Sequence, residues 1–415
     1  MKIWVKFLFA SILGVVLGFL LPADNTGLMS WLSWLAGLAV RIGRYTAPAV
    51  MLFSLTIALY ELRLDKAFWG VFFRSLFLVL AVSLVVITLG QLAVILFPPE
   101  RIPIMIEEQQ AAPVIEMRSL IDQLIPSNMF TALTGAGVYL LPLYVFVFVF
   151  AIGLSYDKTH TKSIIDIIDS LSRIFYHIIA FISEVISPAL IVLAAYWAVR
   201  YREVLSSGVY KSLLGFLGIF SLILCFVIFP AFLCLFRQRQ NQSVLWPWKE
   251  AYASLGPAFA AFFSGDMNFT LPLLLRNNGE NLGVKRRINA PVIAFFSTFC
   301  RVGSAVVAAI SFIVVIRSYS SLGITTAEVF EIALQTLALS FLLAGCPGDA
   351  AWTALAVIGV GYGRGFEAGY LILKPVAFYL IAIGTFIDVM ICGYASFAIA
   401  RMKGLQDDKP IRTFI

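Results

Sequence analysis

Long apolar runs recur along the whole chain, each closed by a short polar or proline-containing connection. Residues 3 to 22, 69 to 97, 138 to 155 and 212 to 236 each approach or exceed the roughly 20 residues that an α-helix needs to cross a bilayer core. Runs at about 34 to 61 and 165 to 198 complete a first set of six. Two later runs break the pattern. The stretch 251 to 275 contains "AFFSGDMNFTLPLLLRNN" (261–278), which places Asp266, Asn268 and Pro272 where a spanning helix carries hydrocarbon. The stretch from about 328 to 360 is interrupted by "LLAGCPGDAA", with Pro347 between Gly345 and Gly348 and Asp349 directly after. A proline with glycines on both sides does not continue an unbroken helix.

Composition fixes the environment: 61% of the 415 residues are hydrophobic, 13% are charged and 36 are Phe. That balance predicts an integral membrane protein. The opening "MKIWVKFLFASILGVVLGFLLPAD" has the basic start and apolar body of a signal peptide. Its long run, Gly14 and Gly18, and the lack of a small-residue cleavage site instead predict a retained first helix. Five cysteines are scattered singly, and the only histidines are His160 and His177, so neither a metal site nor a disulfide framework is expected. The formal charge of +7 comes from Lys and Arg between the segments. It reads as orientation bias rather than as a nucleic-acid-binding face. No nucleophile and base pair, phosphate loop or metal spacing points to an enzyme, and no cofactor is implied.

The basic residues also predict sidedness. Lys2 and Lys6 precede the first helix, whereas "PADNTG" after it carries no positive charge, which places the amino terminus in the cytoplasm. The exits "ELRLDKAF", "YDKTHTK" and "RQRQNQ" are basic inner loops, "FPPERIPIMIEEQQ" is an outer one, and "RYREV" runs against the scheme. Run 251 to 275 has basic residues on both sides: Arg237, Arg239 and Lys249 before it, Lys285, Arg286 and Arg287 after it. A segment that starts and ends on one side is a re-entrant hairpin, here with its tip at Gly265 to Phe269. The N–H groups at the start of its second half-helix, near Thr270 and Pro272, are expected to face an anion. The stretch 328 to 360 repeats the shape, and paired broken segments point to a transporter's binding site. Two kinked ordinary helices are the plainer alternative, which leaves Asp266, Asn268 and Asp349 without a purpose.

Nearly the whole chain resembles the dicarboxylate/amino acid:cation symporter family, which includes glutamate and aspartate transporters. "LIDQLIPSNMFTAL" (120–133) is similar to the segment before the family's fourth helix, "FTLPLLLRNNGENLGV" (269–284) to the end of its first hairpin, and "AGCPGDAA" (344–351) to its second. The resemblance implies an all-α membrane fold of eight transmembrane helices plus two re-entrant hairpins, with inverted repeats, assembled as a homotrimer in the cell (inner) membrane. Residues 1–66 (helices 1 and 2) and 99–205 (helices 4 and 5) would be scaffold. Residues 67–98 (helix 3) and 206–415 would be a mobile transport unit of helix 6, hairpin 1 (about 250–283), helix 7, hairpin 2 (about 327–362) and helix 8. The whole unit slides in the family, giving alternating access.

Departures bear on the coupling ion. The family's seventh helix carries "TINMDGT", and its counterpart is "TFCRVGS" (298–304). Thr298, Gly303 and Ser304 match or nearly match, but Cys300, Arg301 and Val302 stand where Asn, Met and Asp serve sodium. The eighth-helix pattern Asp-x-x-Arg-Thr-x-x-Asn retains Asp388, with Ile391, Cys392 and Ala395 at the other positions.

Four ionisable residues are read at membrane depth, Asp266, Arg301, Asp349 and Asp388, and each requires a partner or a wet cavity. The candidate solute-binding set is Asp266, Met267, Asn268, Arg301, Ser304, Gly345, Cys346, Pro347, Asp349, Asp388 and Cys392. Thr298, Asp266, Asp349 and Asp388 are candidates for handling a coupling cation, sodium or proton. Arg301 has two readings: a tethered cation in place of sodium, or an anchor for a solute carboxylate. Asn268 and Ser264 either line the site or cap the half-helices. Asp166, Asp169 and Glu184 read as a cytoplasmic helix start and a scaffold contact. The chain is thus expected to be a secondary transporter of a small carboxylate-bearing solute, in contact with lipid; a transporter-shaped receptor or uncoupled leak pathway is the alternative.

Overall fold

The computed structural model describes residues 2–22, 25–103, 117–118, 139–156, 158–238, 248–319, 324–363, 366–407, 409–410 and 414. Regular structure among them is helical throughout, apart from one isolated bridge between Val284 and Gln406. In chain order the helices are α1 (Ile3–Leu20), α2 (Thr26–Tyr45), α3 (Ala47–Leu64), α4 (Phe68–Leu96), α5 (Leu141–Leu154), α6 (Lys158–Ser207) and α7 (Lys211–Ile223). A π-turn at Leu224–Ile228 joins α7 to α8 (Phe229–Gln238). Then follow α9 (Lys249–Ser264), α10 (Met267–Glu280), α11 (Arg286–Phe299), α12 (Val302–Tyr319), α13 (Thr326–Leu342), α14 (Ala350–Tyr362) and α15 (Ala377–Met402).

Eight of the described helical segments are long and apolar enough to cross a membrane. They include Thr326–Gly345, the first arm of the second broken unit, and not the fourth helix, whose described part is the short α5. The motif "LIDQLIPSNMFTAL" lies outside the described residues.

The second apolar run is two helices rather than the single helix expected over 34 to 61. Asn25 starts α2 early by accepting a hydrogen bond from the Leu28 N–H at 3.1 Å. Pro48, in the first turn of α3, fits a helix start and not a helix interior, so the axis breaks at Thr46. Helix α1 lies on α6 through its two glycines. A Cβ on Gly14 would fall 2.4 Å from the Ile191 carbonyl oxygen, and one on Gly18 would fall 2.6 Å from the Ala198 Cβ. This close backbone contact is the small-residue packing that membrane helices use. Lys6 on α1 pairs with Glu184 on α6 at 2.5 Å.

Helices α12 and α15 are buried along almost their whole length and form the centre. By contrast α1, α4 and α13 turn Phe9, Leu20, Phe73, Phe77 and Phe330 outward. In a multi-pass membrane protein such faces meet lipid, where exposed hydrocarbon costs nothing.

Helices α9 and α10 form a helical hairpin, pinned near its open end by Asn277 and Asn289. The Asn277 amide donates to the Ala253 carbonyl of α9 at 2.5 Å. Asn289 on α11 donates to the Leu275 carbonyl at 2.8 Å and accepts from Ser396 of α15 at 2.9 Å. Gly283 makes the following turn at φ +65°, where an added Cβ would lie 2.0 Å from the Asp407 carbonyl oxygen. Glycine is required there on both counts.

Candidate functional site at three helix breaks

The tip of the α9–α10 hairpin is two residues long. Gly265, at φ +64°, ends α9, and its N–H donates to the Ala261 carbonyl at 2.8 Å. Asp266 is extended and caps α10, its carboxylate accepting from the Phe269 N–H at 2.9 Å. The Asp266 N–H in turn donates to the Ser264 hydroxyl at 3.2 Å. The second half-helix therefore begins at Met267, one turn before the Thr270 and Pro272 expected from sequence, because the Asp266 side chain starts it there. Its first N–H groups are also spent inside the protein: Phe269 on Asp266, and Met267 on the Pro347 carbonyl at 3.0 Å.

That Pro347 belongs to the other broken unit. Helix α13 opens with a reciprocal cap between Thr325 and Glu328, runs to Leu342 and tightens into a 3-10 turn ending at Gly345. After Cys346, Pro347, Gly348 and Asp349 the chain re-enters helix as α14. Asp349 is exposed at the start of α14, and its side chain makes no capping bond.

The third break lies between α11 and α12, at Cys300 and Arg301. The Arg301 N–H donates to the Ser340 carbonyl of α13 at 3.0 Å. Its guanidinium, 1% exposed, lies 3.2 Å from the Asp388 carboxylate through Nε and donates from Nη2 to the Pro347 carbonyl at 3.3 Å. Asp388 comes from the middle of α15 and caps α12, accepting from the N–H of Gly303 at 2.7 Å, the N–H of Ser304 at 3.3 Å and the Ser304 hydroxyl at 2.6 Å. The approach is possible because Gly303 and Gly384 lack side chains. A Cβ on Gly384 would sit 2.8 Å from the Ser304 Cα, and one on Gly303 2.6 Å from the Ile387 Cβ.

Sequence reasoning missed Arg44, in the last turn of α2, whose guanidinium forms an ion pair with Asp266. A Cβ on Gly348 would lie 3.0 Å from both partners, so the second tip lies against this pair. The ionisable groups at these breaks are therefore five, two positive and three negative. The signal is present in "VRIGRY" (40–45), inside the apolar run read over 34 to 61. Thr385 of α15 was missed too, and its hydroxyl donates to the Gly265 carbonyl at 3.2 Å.

Of the sequence-predicted set, Asp266, Met267, Pro347, Arg301, Asp388 and Ser304 form one connected cluster, with Asn268 buried in the first turn of α10 and Gly345, Cys346 and Asp349 around the second tip. Two are separate from it. Cys392, one turn beyond Asp388, donates to the Ile293 carbonyl at 3.7 Å, and the Thr298 hydroxyl is spent on its own helix at Ala294, 2.7 Å away. Among the described residues no group of His, Cys, Asp and Glu is arranged to hold a metal ion.

The three helix breaks lie against one another, and the N-termini of α10 and α12 there are capped by Asp266 and Asp388. Residues 3–402 match the sodium:dicarboxylate symporter family, and the chain belongs to that family. Its members are transporters, not enzymes, and membership implies a dicarboxylate or amino-acid carrier of the sodium-coupled kind. No curated protein matches the chain.

Proposed function

We propose that the protein is a secondary transporter that carries a small carboxylate-bearing solute, a dicarboxylate or an amino acid, by alternating access, with Arg301 doing the work of a bound sodium ion. The observation that carries this reading is the bridge made by one guanidinium between Asp388 of α15 and the Pro347 carbonyl of the second tip. A buried cation joining a carboxylate to a hairpin carbonyl fits the role of a coupling ion, except that this one cannot leave. The same geometry favours the tethered cation over the solute anchor. Arg301 is buried and spent on Asp388, and Asp388 is spent on α12, so neither is open to a solute. The exposed Asp349 and the start of α14 remain for a solute's charged groups.

On this reading the mobile unit is α4 with α7 to α15, and the scaffold is α1, α2, α3, α5 and α6, in a homotrimer of the cell membrane. The two bodies meet at their ends through partly exposed ion pairs: Arg286 with Glu61 at 3.0 Å and with Asp169 at 2.8 Å, and Arg287 with Asp65 at 2.5 Å. Pairs of this kind contribute about 0–1 kcal/mol each, weak enough to be remade in every cycle. The test is uptake by reconstituted vesicles of aspartate, glutamate, succinate and fumarate under a sodium gradient, a proton gradient or none. Uptake that ignores sodium supports the reading, and tight sodium-dependent binding by the native protein overturns it. Equal uptake with every gradient dissipated selects the uncoupled pathway.

A further inference from the structure

We propose that Asp266 is a cation site at the first hairpin tip, filled in this state by the Arg44 guanidinium and taken by a monovalent cation from solution when that guanidinium is withdrawn. Asp266 is 1% exposed, and with one exception its bonds are to its own hairpin, through Ser264 and Phe269. The flanking backbone is likewise tied to the second tip and α15, through Met267 to Pro347 and Thr385 to Gly265. The exception is Arg44, which comes from α2, a helix that packs on α6.

The Arg44 contact has the marks of an exchangeable partner. The Arg44 side chain is 27% exposed and meets Asp266 through Nη2, whereas the Arg301 side chain is 2% exposed. Beside it α2 meets the tip through a glycine, with a Cβ on Gly43 falling 2.0 Å from the Phe269 ring. A glycine lying against a ring offers no interlocking side chain to hold the surfaces in register. Movement of the tip along α2 by two helical turns, about 11 Å, carries Asp266 beyond Arg44. That movement rests on the transport reading above, whereas the identity of the cation site does not.

A buried carboxylate deprived of its partner is strongly unfavourable, so it takes up a cation from the medium. The charged groups around Asp266 are Arg44 on α2, Asp349 at the second tip and, beyond Pro347, the Arg301–Asp388 pair. The neighbouring ends of α9 and α10 carry no charge other than Asp266 itself. None of the other groups is free to replace Arg44, because Arg301 is committed to Asp388. When Arg44 returns it evicts the cation: a proton leaves to water from the carboxyl group, or a metal ion leaves as such.

The test uses purified protein and no solute, so a failure to transport leaves its outcome readable. An Arg44→Cys variant is folded and then titrated between pH 6 and 8, and separately equilibrated with ²²Na⁺. It is expected to bind one proton or one sodium ion per chain that the native protein and the Arg44→Cys/Asp266→Asn double variant do not bind. Treatment with aminoethyl methanethiosulfonate, in a background where the five native cysteines are replaced by alanine, restores a positive charge at position 44 alone and is expected to release that ion, whereas the neutral methyl reagent is not. Arg44→Gln gives the same comparison should the cysteine variant fold poorly. The proton and sodium arms tell the two cations apart. Equal proton and sodium binding by single and double variants overturns the proposal and makes the Arg44–Asp266 pair a structural contact.

Discussion

Replacing Arg301 with methionine is the sharpest perturbation of the site, because it removes a charge while nearly conserving apolar volume. At the observed separation of 3.2 Å and an effective dielectric constant of about 20, the Arg301–Asp388 attraction is about 5 kcal/mol. Desolvation offsets part of it, and removing one partner of a buried pair costs about 3–5 kcal/mol in measured cases. For a chain of 415 residues and an unfolding entropy of about 2.1 cal/mol/K per residue, that loss lowers the melting temperature by about 3–6 °C. Sodium should now reverse the effect. The native guanidinium repels a cation 4 Å away by about 4 kcal/mol at the same dielectric constant, and with the charge gone Asp388 and the Pro347 carbonyl are left facing an unfilled position. A sodium concentration one hundred times the dissociation constant returns about 2.7 kcal/mol. The assay is thermal unfolding in detergent, with sodium chloride compared with choline chloride at equal ionic strength. Native protein is expected to ignore the exchange of cations, and Arg301→Met to gain stability in sodium alone. The reasoning is refuted if the native protein is itself stabilised by sodium, or if the variant melts at the native temperature in choline.

Three further outcomes follow from the packing. Gly43→Ala puts a methyl group into the Phe269 ring; it should lower the melting temperature, while Gly37→Ala, with nothing within 4 Å of its Cβ, should leave it unchanged. Gly283→Ala and Gly404→Ala both force alanine to φ +65°, but only the first collides with a backbone oxygen, that of Asp407. Both should lose the roughly 1–2 kcal/mol of the left-handed conformation, with a further drop in melting temperature for Gly283→Ala alone. The Asp65–Arg287 pair, with both partners partly exposed, should show a double-mutant coupling below about 1 kcal/mol that fades in 1 M salt.

The sequence made some of this arrangement legible because the membrane imposes simple rules. Apolar length marks helices, so the segments around α1, α4, α6 and α7 were readable, and the prolines and aspartates inside apolar runs marked both tips. What it could not show was pairing. Asp388 and Gly303 are 85 residues apart in the chain, and nothing in either local pattern says that a carboxylate of α15 caps α12. Arg44 failed for a related reason. Its partner is 222 residues away, and the helix break that makes it the last turn of α2 rests on Pro48 four residues later. The start of α10 precedes the position expected from sequence because Asp266, a ligand by residue type, acts first as a helix cap.

These two carboxylates also constrain how charge can move through the site. Three helix N-termini, those of α10, α12 and α14, converge on the breaks, and two are already occupied by the protein's own Asp266 and Asp388. The Arg301–Asp388 pair lies wholly within the proposed mobile unit and is neutral, so its movement across the membrane transfers no charge. Asp266 differs, because its counter-charge sits on α2 and stays behind. A unit that left Arg44 with Asp266 ionised would carry that negative charge, in addition to the one on Asp349, without its partner through the apolar interior, at about 2.3 kcal/mol per charge per 100 mV before any desolvation is counted. Binding a cation at Asp266 removes that charge. On the proposed reading, therefore, the Arg301–Asp388 pair replaces a coupling ion, whereas separation of Arg44 from Asp266 creates the need for one. Current measurements on vesicles carrying Asp266→Asn decide the point. With a neutral solute this variant should transport without the pH dependence of the native protein, and an unchanged dependence would place the coupling ion elsewhere.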